Sequence, residues 1–359
     1  MPAASNLLVQ ILDELTSVSV QKSLEMNMSN LCVIGAGRMG SLYGGLLAKN
    51  GLRVTLYDPW RQHIEAIRHN GLHLDGISGD LRIRIPATTE IAEIPPCDIA
   101  IVLSDTNGTA HAAEVARRVL IPSGFALTLQ NGIGNVEILS NTIGANRVLA
   151  GLSYHSAALA GPGHITHTHA GPTYLGEITG KSTERLSNLV RIFEDSNFNS
   201  IPVDNITAHI WEKWVHNCAI NAISAISGLR VGEISSTPAA DELQSYVIEE
   251  ALAVVKANGI SLPEKNPAAT IKAFCKVKFN KPSMLQHMEE GRPTEVDALN
   301  GAVVRAGQKL GIDTPYNRAT TLMVKAREQY VRNVSRKTPI DYDALELQAK
   351  KTAQQGSAS

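Results

Sequence analysis

Cysteine is scarce and unpaired in this sequence: Cys32, Cys97, Cys218 and Cys275 are the only four among 359 residues, and none forms a CxxC pair. That excludes a disulfide scaffold and a paired-cysteine zinc site, and it fits a reducing compartment, where cysteine serves as a small hydrophobe. The HExxH pattern is also missing. No apolar run approaches the roughly 18 residues that a membrane-spanning helix needs. Excess charge of either sign is lacking: 33 basic against 34 acidic side chains leave a net charge of −1. Bulk binding to nucleic acid or to an anionic membrane is therefore not expected. Residues 1–29 contain no arginine and no basic leader, so neither a mitochondrial presequence nor a secretory signal is expected, and the cytoplasm is the expected location. No internal repeat is visible. What is present, 43% hydrophobic and 19% charged residues, is ordinary for a globular chain. At about 100–200 residues per domain, the length suggests two domains or three.

Hydrophobic patterning divides the chain. In residues 1–29, Leu7, Leu8, Ile11, Leu12 and Leu15 form one helical stripe, which reads as a docked helix or as a frayed extension. From Leu31 onward, short apolar runs alternate with helical stretches. Strands are predicted at Leu31–Ile34, Arg53–Tyr57, Ile99–Leu103 and Phe125–Leu129, with helices near 40–49, 62–69 and 110–120 between them. This alternation implies right-handed βαβ crossovers and a parallel sheet. Between Val148 and Glu177, Gly-Pro turns suggest antiparallel hairpins completing the same sheet. Beyond Asp204 the spacing is helical, over 206–227, 239–258, 267–278, 282–290, 294–310 and 316–332. The predicted fold class is therefore α/β: an N-terminal Rossmann-type domain with a mainly parallel sheet, then an all-α C-terminal domain. The predicted boundaries are an extension at 1–29, a dinucleotide-binding domain at 30–204, a helical substrate domain at 205–347 and a polar tail at 348–359.

Four segments carry polar residues where chemistry is plausible. Gly35-Ala36-Gly37-Arg38-Met39-Gly40 is a G-x-G-x-x-G between a predicted strand and a predicted helix. Gly35 permits the tight turn, Gly37 lets backbone approach a pyrophosphate, and Gly40 allows close helix–strand packing. Asp58, ending the second strand, stands where a ribose-binding acid belongs; its carboxylate accepts from a 2′-OH and repels a 2′-phosphate, which favours NAD. Arg61 could offset part of that preference, and Asp58 before Pro59 also suits a plain turn. Asn131, in Gln130-Asn131-Gly132-Ile133-Gly134, falls at the carboxyl edge of the sheet, although Asn-Gly is also a common turn. Lys213, Asn217 and Asn221 recur at i, i+4, i+8 on an otherwise apolar helix, as the lining of a polar-ligand site or as a solvated stripe. In Gly291-Arg292-Pro293-Thr294-Glu295-Val296-Asp297, Pro293 suits a first helical turn, and acids there complement the helix dipole. No metal is expected. On a strand His167 and His169 share a face while His164 points the other way, and no carboxylate lies at ligand spacing.

Together these segments resemble the ketopantoate reductase (2-dehydropantoate 2-reductase) family and its relatives of the D-mandelate dehydrogenase type. The resemblance covers roughly residues 30–335 and is most specific at Lys213-x-x-x-Asn217-x-x-x-Asn221, at Ser283–Gln286 and at Arg292 to Gly301. The Asn131 segment and His155-Ser156-Ala157 also match. The resemblance implies a Rossmann domain followed by an all-α domain, with the active site in the cleft between them. It implies Lys213 as general acid, and Asn217, Asn221, Ser283 and Asn280 as substrate contacts. Glu295 would contact cofactor or substrate, and Asn131 would serve either. Gly35, Ala36, Gly37, Arg38, Met39 and Gly40, with Asn131 and Ala157, would hold the dinucleotide. Two departures stand out. Ser104 or Asp105 replaces a lysine usual near the cofactor, and Val231 stands where a substrate-binding Asn is usual.

The implied reaction is NAD(P)H-dependent reduction of a 2-oxo acid to a 2-hydroxy acid, by hydride transfer with a lysine general acid and with ketopantoate as default substrate. Asp58 and the missing lysine favour NADH. Val231 raises a second enzyme reading, a D-2-hydroxy acid dehydrogenase acting on a bulkier 2-oxo acid. A third, non-enzymatic reading is a dinucleotide-binding sensor; it predicts loss of Lys213 or Glu295, and both are present. The expected partner is a small 2-oxo acid, with no nucleic acid and no membrane. A homodimer is among the assemblies this reading admits.

Overall fold

The computed structural model describes residues 29–334 and 341–356. The predicted extension, up to residue 28, therefore lies outside the described residues. Apolar runs bounded by glycine and proline build an eight-stranded sheet in the order β12-β11-β8-β7-β6-β1-β2-β5. Its strands are β1 (Asn30–Ile34), β2 (Arg53–Tyr57), β5 (Ala87–Thr88), β6 (Cys97–Val102), β7 (Leu120–Thr128), β8 (Val148–Ser153), β11 (Thr173–Glu177) and β12 (Ser200–Pro202). From β8 through to β5 every pairing is parallel, while β11 runs antiparallel to β8 and pairs parallel with β12.

Successive side chains of β1 enter two different cores. Leu31 and Val33 pack with Leu42, Leu46 and Leu47 of helix α1 (Arg38–Lys49). Cys32 and Ile34 pack with Ala112, Val115 and Val119 from the helix Thr109–Val119. A strand buried on both faces reads as the continuous apolar run seen in the sequence. Each large side chain so buried contributes roughly 1.5–3 kcal/mol.

A second sheet has the order β4-β3-β10-β9, with β3 (Leu72–Gly76), β4 (Leu81–Ile83), β9 (Ser156–Gly161) and β10 (His164–His169). This corrects the expectation that all hairpins after Val148 finish one sheet. The hairpin β9–β10 instead leaves the main sheet and pairs β10 in parallel with β3. The alternation of buried Leu72 and Leu74 with part-exposed His73 and Asp75 marks β3 as a half-buried strand. The small sheet lies on α1, where an added Cβ at Gly45 would stand 2.7 Å from Leu74.

Helices fill the rest of the described chain: Ile206–Ser227, Val231–Ser236, Pro238–Ala257, Pro267–Val277, Ser283–Glu289, Asn300–Leu310, Pro315–Val334 and Tyr342–Gly356. Two expectations shift here. The helix predicted over 294–310 begins only at Asn300. Leu299, at φ −103° and ψ −103°, breaks the run, and the Gly301 N–H reaches back to the Val296 carbonyl at 2.9 Å. The helix Tyr342–Gly356 runs into the stretch read as a polar tail.

The chain divides into two compact units, one ending at Trp214 and including Ile260–Lys265, the other comprising Val215–Gly259 and the chain from Asn266. The sequence places the boundary at 204/205. The first turns of the helix Ile206–Ser227 stay with the sheet because Ile206 packs on Ala150 and Leu152 of β8. Glu212 adds to this by accepting the Glu264 N–H at 2.7 Å. The helical unit is pinned internally by buried amides. Asn300 donates to the Cys218 carbonyl at 3.1 Å and to Asn317 at 2.9 Å, and Asn317 donates to the Val247 carbonyl at 3.1 Å. Among the described residues, no helix is long and apolar enough to cross a membrane.

Candidate active site

The order of the main sheet reverses at β1, whose neighbours are β2 on one side and β6 on the other. Ligands of open α/β sheets bind outside the carboxyl ends of strands at such a switch point. The glycine motif stands there. Gly35, at φ +94°, follows β1, and a Cβ on it would lie 2.3 Å from the Ser104 nitrogen beyond β6. The N–H groups of Gly35 and Ala36 both donate to the Tyr57 carbonyl, at 2.9 and 3.2 Å, lacing the turn to the end of β2. A Cβ on Gly40 would lie 1.9 Å from the Gly35 carbonyl oxygen, so only glycine lets α1 start this close to the turn. Gly37 is different, since a Cβ there would meet nothing within 4 Å. Gly37 is also the N-cap of α1, and it has no side chain to cap the first-turn N–H groups, which begin with Arg38 and Met39. Open space over uncapped helix N–H donors suits a pyrophosphate. Asp58 directly follows Tyr57, and its Oδ1 accepts the Trp60 N–H at 2.8 Å. Arg61 extends along its own helix toward Glu65 at 3.9 Å and is largely exposed.

Along the same edge the structure assembles a polar network that the sequence reading missed. Gln130, after β7, donates through Nε2 to the Ser104 carbonyl, to Ser104 Oγ and to Thr109 Oγ1, at 2.9, 3.1 and 2.9 Å. Thr109 in turn donates to Asn135 Oδ1 at 2.7 Å. The Asn131 carbonyl accepts from Thr106 Oγ1 at 2.8 Å and from Asn135 Nδ2 at 2.9 Å. The signal was Gln130 itself, a polar residue directly after an apolar strand. Its partners lie too far away in sequence for any local pattern to show them.

Lys213 reaches this edge as well. Its Nζ donates to the Ser153 carbonyl at 2.6 Å, at the carboxyl end of β8, and lies 5.4 Å from the Tyr154 ring centroid. Ser153 Oγ is held by Tyr43 Oη of α1 at 2.8 Å and by the His155 N–H at 3.1 Å. The Tyr154 phenol is neutral at pH 7, and its ring offers a π face to the ammonium. Lys213 thus shares a compact unit and a sheet edge with the glycine turn. Ala157 lies in β9, paired with His167, on the flank of α1.

The remaining expected residues belong to the helical unit. Asn217 and Asn221 continue the Lys213 face of one unbroken helix. Asn221 is only 6% exposed. A polar ligand beside so enclosed an amide would offer it hydrogen-bond partners. The Asn280 carbonyl accepts the Val231 N–H at 3.3 Å, joining the substrate candidate to the position of the missing Asn. Ser283 opens the helix Ser283–Glu289. Glu295 is buried, and its carbonyl accepts from Ala298 and Leu299 in the turns before Asn300. Asp297 pairs with Lys325 at 2.7 Å.

A parallel sheet with a glycine turn at its switch point, and a lysine anchored on the same edge, is the architecture of a dinucleotide-dependent oxidoreductase. Comparison with known proteins makes this particular. Family models described as "Ketopantoate reductase PanE/ApbA" and "Ketopantoate reductase PanE/ApbA C terminal" match residues 31–180 and 205–328. A 2-dehydropantoate 2-reductase of Archaeoglobus fulgidus is 31% identical over 305 residues, 84% of this chain and 99% of its own length. The crystal structure of a PanE/ApbA family ketopantoate reductase from Ralstonia eutropha superposes with a TM-score of 0.78 at 31% identity, covering 84% of this chain and 99% of that one. D-mandelate dehydrogenase with NADH and anilino(oxo)acetate gives a TM-score of 0.77 at 25% identity, again over 84% and 99% of the two chains. The chain belongs to the ketopantoate reductase family.

Proposed function

We propose that this chain reduces the 2-carbonyl of a 2-oxo acid to a 2-hydroxy acid, with ketopantoate as reference substrate and NADH as preferred reductant. The supporting observation is the anchoring of Lys213 on the Ser153 carbonyl, at the sheet edge that carries the glycine turn. A ligand lying across Gly35–Gly40 would extend along this edge past Asn131 toward Lys213. Four free, buried cysteines suit a reducing compartment, and we place the enzyme in the cytoplasm. In this reading residues 30–204 hold the dinucleotide, and residues 205–347 supply the substrate contacts.

The uncapped N–H groups at the start of α1 hold the pyrophosphate, with Ala36, Gly37, Arg38 and Met39 lining it and Ala157 packing alongside. Asp58 accepts from the ribose hydroxyls, and a 2′-phosphate there would meet a like charge. A bound nicotinamide dinucleotide supplies the hydride. As negative charge develops on the carbonyl oxygen, the Lys213 ammonium stabilises it and then delivers a proton. Ser153 and Tyr154 hold that ammonium in place beforehand. Asn221 and Asn217 meet substrate oxygens, Asn280 and Ser283 bind the carboxylate end, and Glu295 accepts from a substrate or ribose hydroxyl.

Lys213→Ala should keep the fold and NADH binding and lower kcat by about 10²–10⁴-fold, the range of general acid catalysis. Near-normal kcat in that variant would overturn the assignment. Val231 favours a second reading, a D-mandelate-type dehydrogenase: it is 2% exposed and apolar where a polar substrate contact is expected. Steady-state reduction of ketopantoate, branched and aromatic 2-oxo acids, each with NADH and with NADPH, decides both the substrate and the cofactor.

A further inference from the structure

The small sheet gathers histidines and carboxylates that have no part in the reductase chemistry. In the parallel pairing of β3 with β10, His164 stands opposite His73, and Asp75 lies two residues further along β3 on the same face. The two imidazoles stack with centroids 3.9 Å apart and planes 19° apart. His164 Nε2 lies 2.7 Å from Asp75 Oδ2, a contact between residues 89 apart in the chain. His73 Nε2 lies 2.7 Å from Asp80 Oδ1. One nitrogen of each histidine and one carboxylate oxygen of Asp75 all fall within 4.8 Å of one another. The sequence reading set metal aside because no carboxylate neighbours His164, His167 and His169. The fold brings one from another strand and sends His167 to the opposite, buried face, where Ser78 Oγ lies 2.7 Å from its Nδ1.

We propose that His73, His164 and Asp75 form a binding site for one divalent transition-metal ion, with zinc the ion of choice. Two imidazole nitrogens and a carboxylate oxygen suit a borderline cation, and water fills the fourth position. Tetrahedral zinc with ligand distances near 2.0–2.1 Å needs donors about 3.4 Å apart. The three side chains are 17–31% exposed, and small side-chain rotations close that gap. Asp80, mostly exposed, gives up His73 when the ion binds. The ion clamps β3 to β10, two strands that meet only in the folded chain, and so stiffens the sheet on which α1 rests.

The test uses the full-length protein, stripped with chelator and titrated with zinc sulfate by calorimetry, with bound metal counted by mass spectrometry. One zinc per chain at micromolar affinity is expected, with a rise of a few °C in Tm at saturation, as for any ligand that binds only the folded state. His164→Gln and Asp75→Asn should each weaken binding at least tenfold and abolish the Tm rise. Their NADH affinity without zinc should be unchanged, which also shows that they fold. Wild-type affinity weaker than about millimolar overturns the site. So does zinc binding that is equally tight in both variants, because other surface histidines would then account for it.

Discussion

Gly37 and Gly40 of the turn predict different responses to the same added methyl, and the contrast tests the dinucleotide site more sharply than removing any side chain. At Gly37 the new Cβ meets nothing within 4 Å, and φ is −70°, a value alanine adopts freely. Two small effects on stability oppose each other. Alanine is a poorer N-cap than glycine by about 1 kcal/mol, and it stiffens the unfolded chain by about 0.4–1 kcal/mol. Gly37→Ala should therefore fold with a Tm within about 3 °C of wild type. Its methyl nevertheless occupies the space a pyrophosphate would need. Losing one hydrogen bond to a charged group costs about 1.5–3 kcal/mol, or roughly 10- to 100-fold in Kd. At Gly40 the methyl lies 1.9 Å from a carbonyl oxygen, so backbone must move and stability should fall by about 3 kcal/mol. Urea unfolding and fluorescence titration with NADH read the two effects separately. A Gly37→Ala protein with wild-type stability and wild-type NADH affinity would refute the placement of the pyrophosphate.

Two further predictions concern stability. His63 is buried, accepts the Gly163 N–H at Nδ1 and contacts Ser41 Oγ through Nε2, both at 3.0 Å; burial pulls its pKa from 6.5 down to about 4. Burial and the neighbouring His167 do the same to His155. The native state then binds fewer protons than the unfolded chain, so stability is full above about pH 6.5 and is lost as pH falls toward 4. The loss is on the order of 3 kcal/mol for His63 alone; equal urea midpoints at pH 4.5 and 7.5 would exclude it. Glu177 is 2% exposed, and burial alone would raise its pKa, but Arg185 at 2.6 Å and the Thr183 hydroxyl bring it below the usual range. Arg185→Ala should cost about 3 kcal/mol by stranding that carboxylate, at the low end for a buried pair because Arg185 is itself part-exposed. Arg185→Met with Glu177→Leu should cost much less in the same unfolding assay.

The elements legible in the sequence are those whose pattern is local. The helix Ile206–Ser227 appears with the bounds its periodicity predicts, and β1 and β6 stand out as apolar runs ending in small or polar residues. The turn before Asn300 was not legible, because Pro293 followed by acids imitates a helix start. The break at Leu299 depends on Gly301 reaching back to Val296, a contact no composition signal carries. The path of the β9–β10 hairpin was hidden for a related reason, since its partner β3 lies far upstream and parallel pairing leaves no turn signature. The candidate site divides in the same way. The glycine turn and the Lys213 stripe are local spacings, whereas the Ser104–Gln130–Thr109–Asn135 network and the Ser153 anchor of Lys213 exist only once the strands stand side by side.

The helix Ile206–Ser227 works as a ruler. At 1.5 Å of rise per residue, Asn217 stands about 6 Å and Asn221 about 12 Å along the axis from Lys213. Under the proposed reading, the gap between the proton donor and each amide is set by helical pitch and not by loops. Evolution can then retune which group an amide greets by changing side chains, but it cannot stretch the gauge by small steps. One extra residue between Asn217 and Asn221 would swing Asn221 about 100° around the axis and off the stripe. A family built on such a rod should diversify its substrates by exchange at the stripe and at its neighbours, such as Val231, with the helix length left alone.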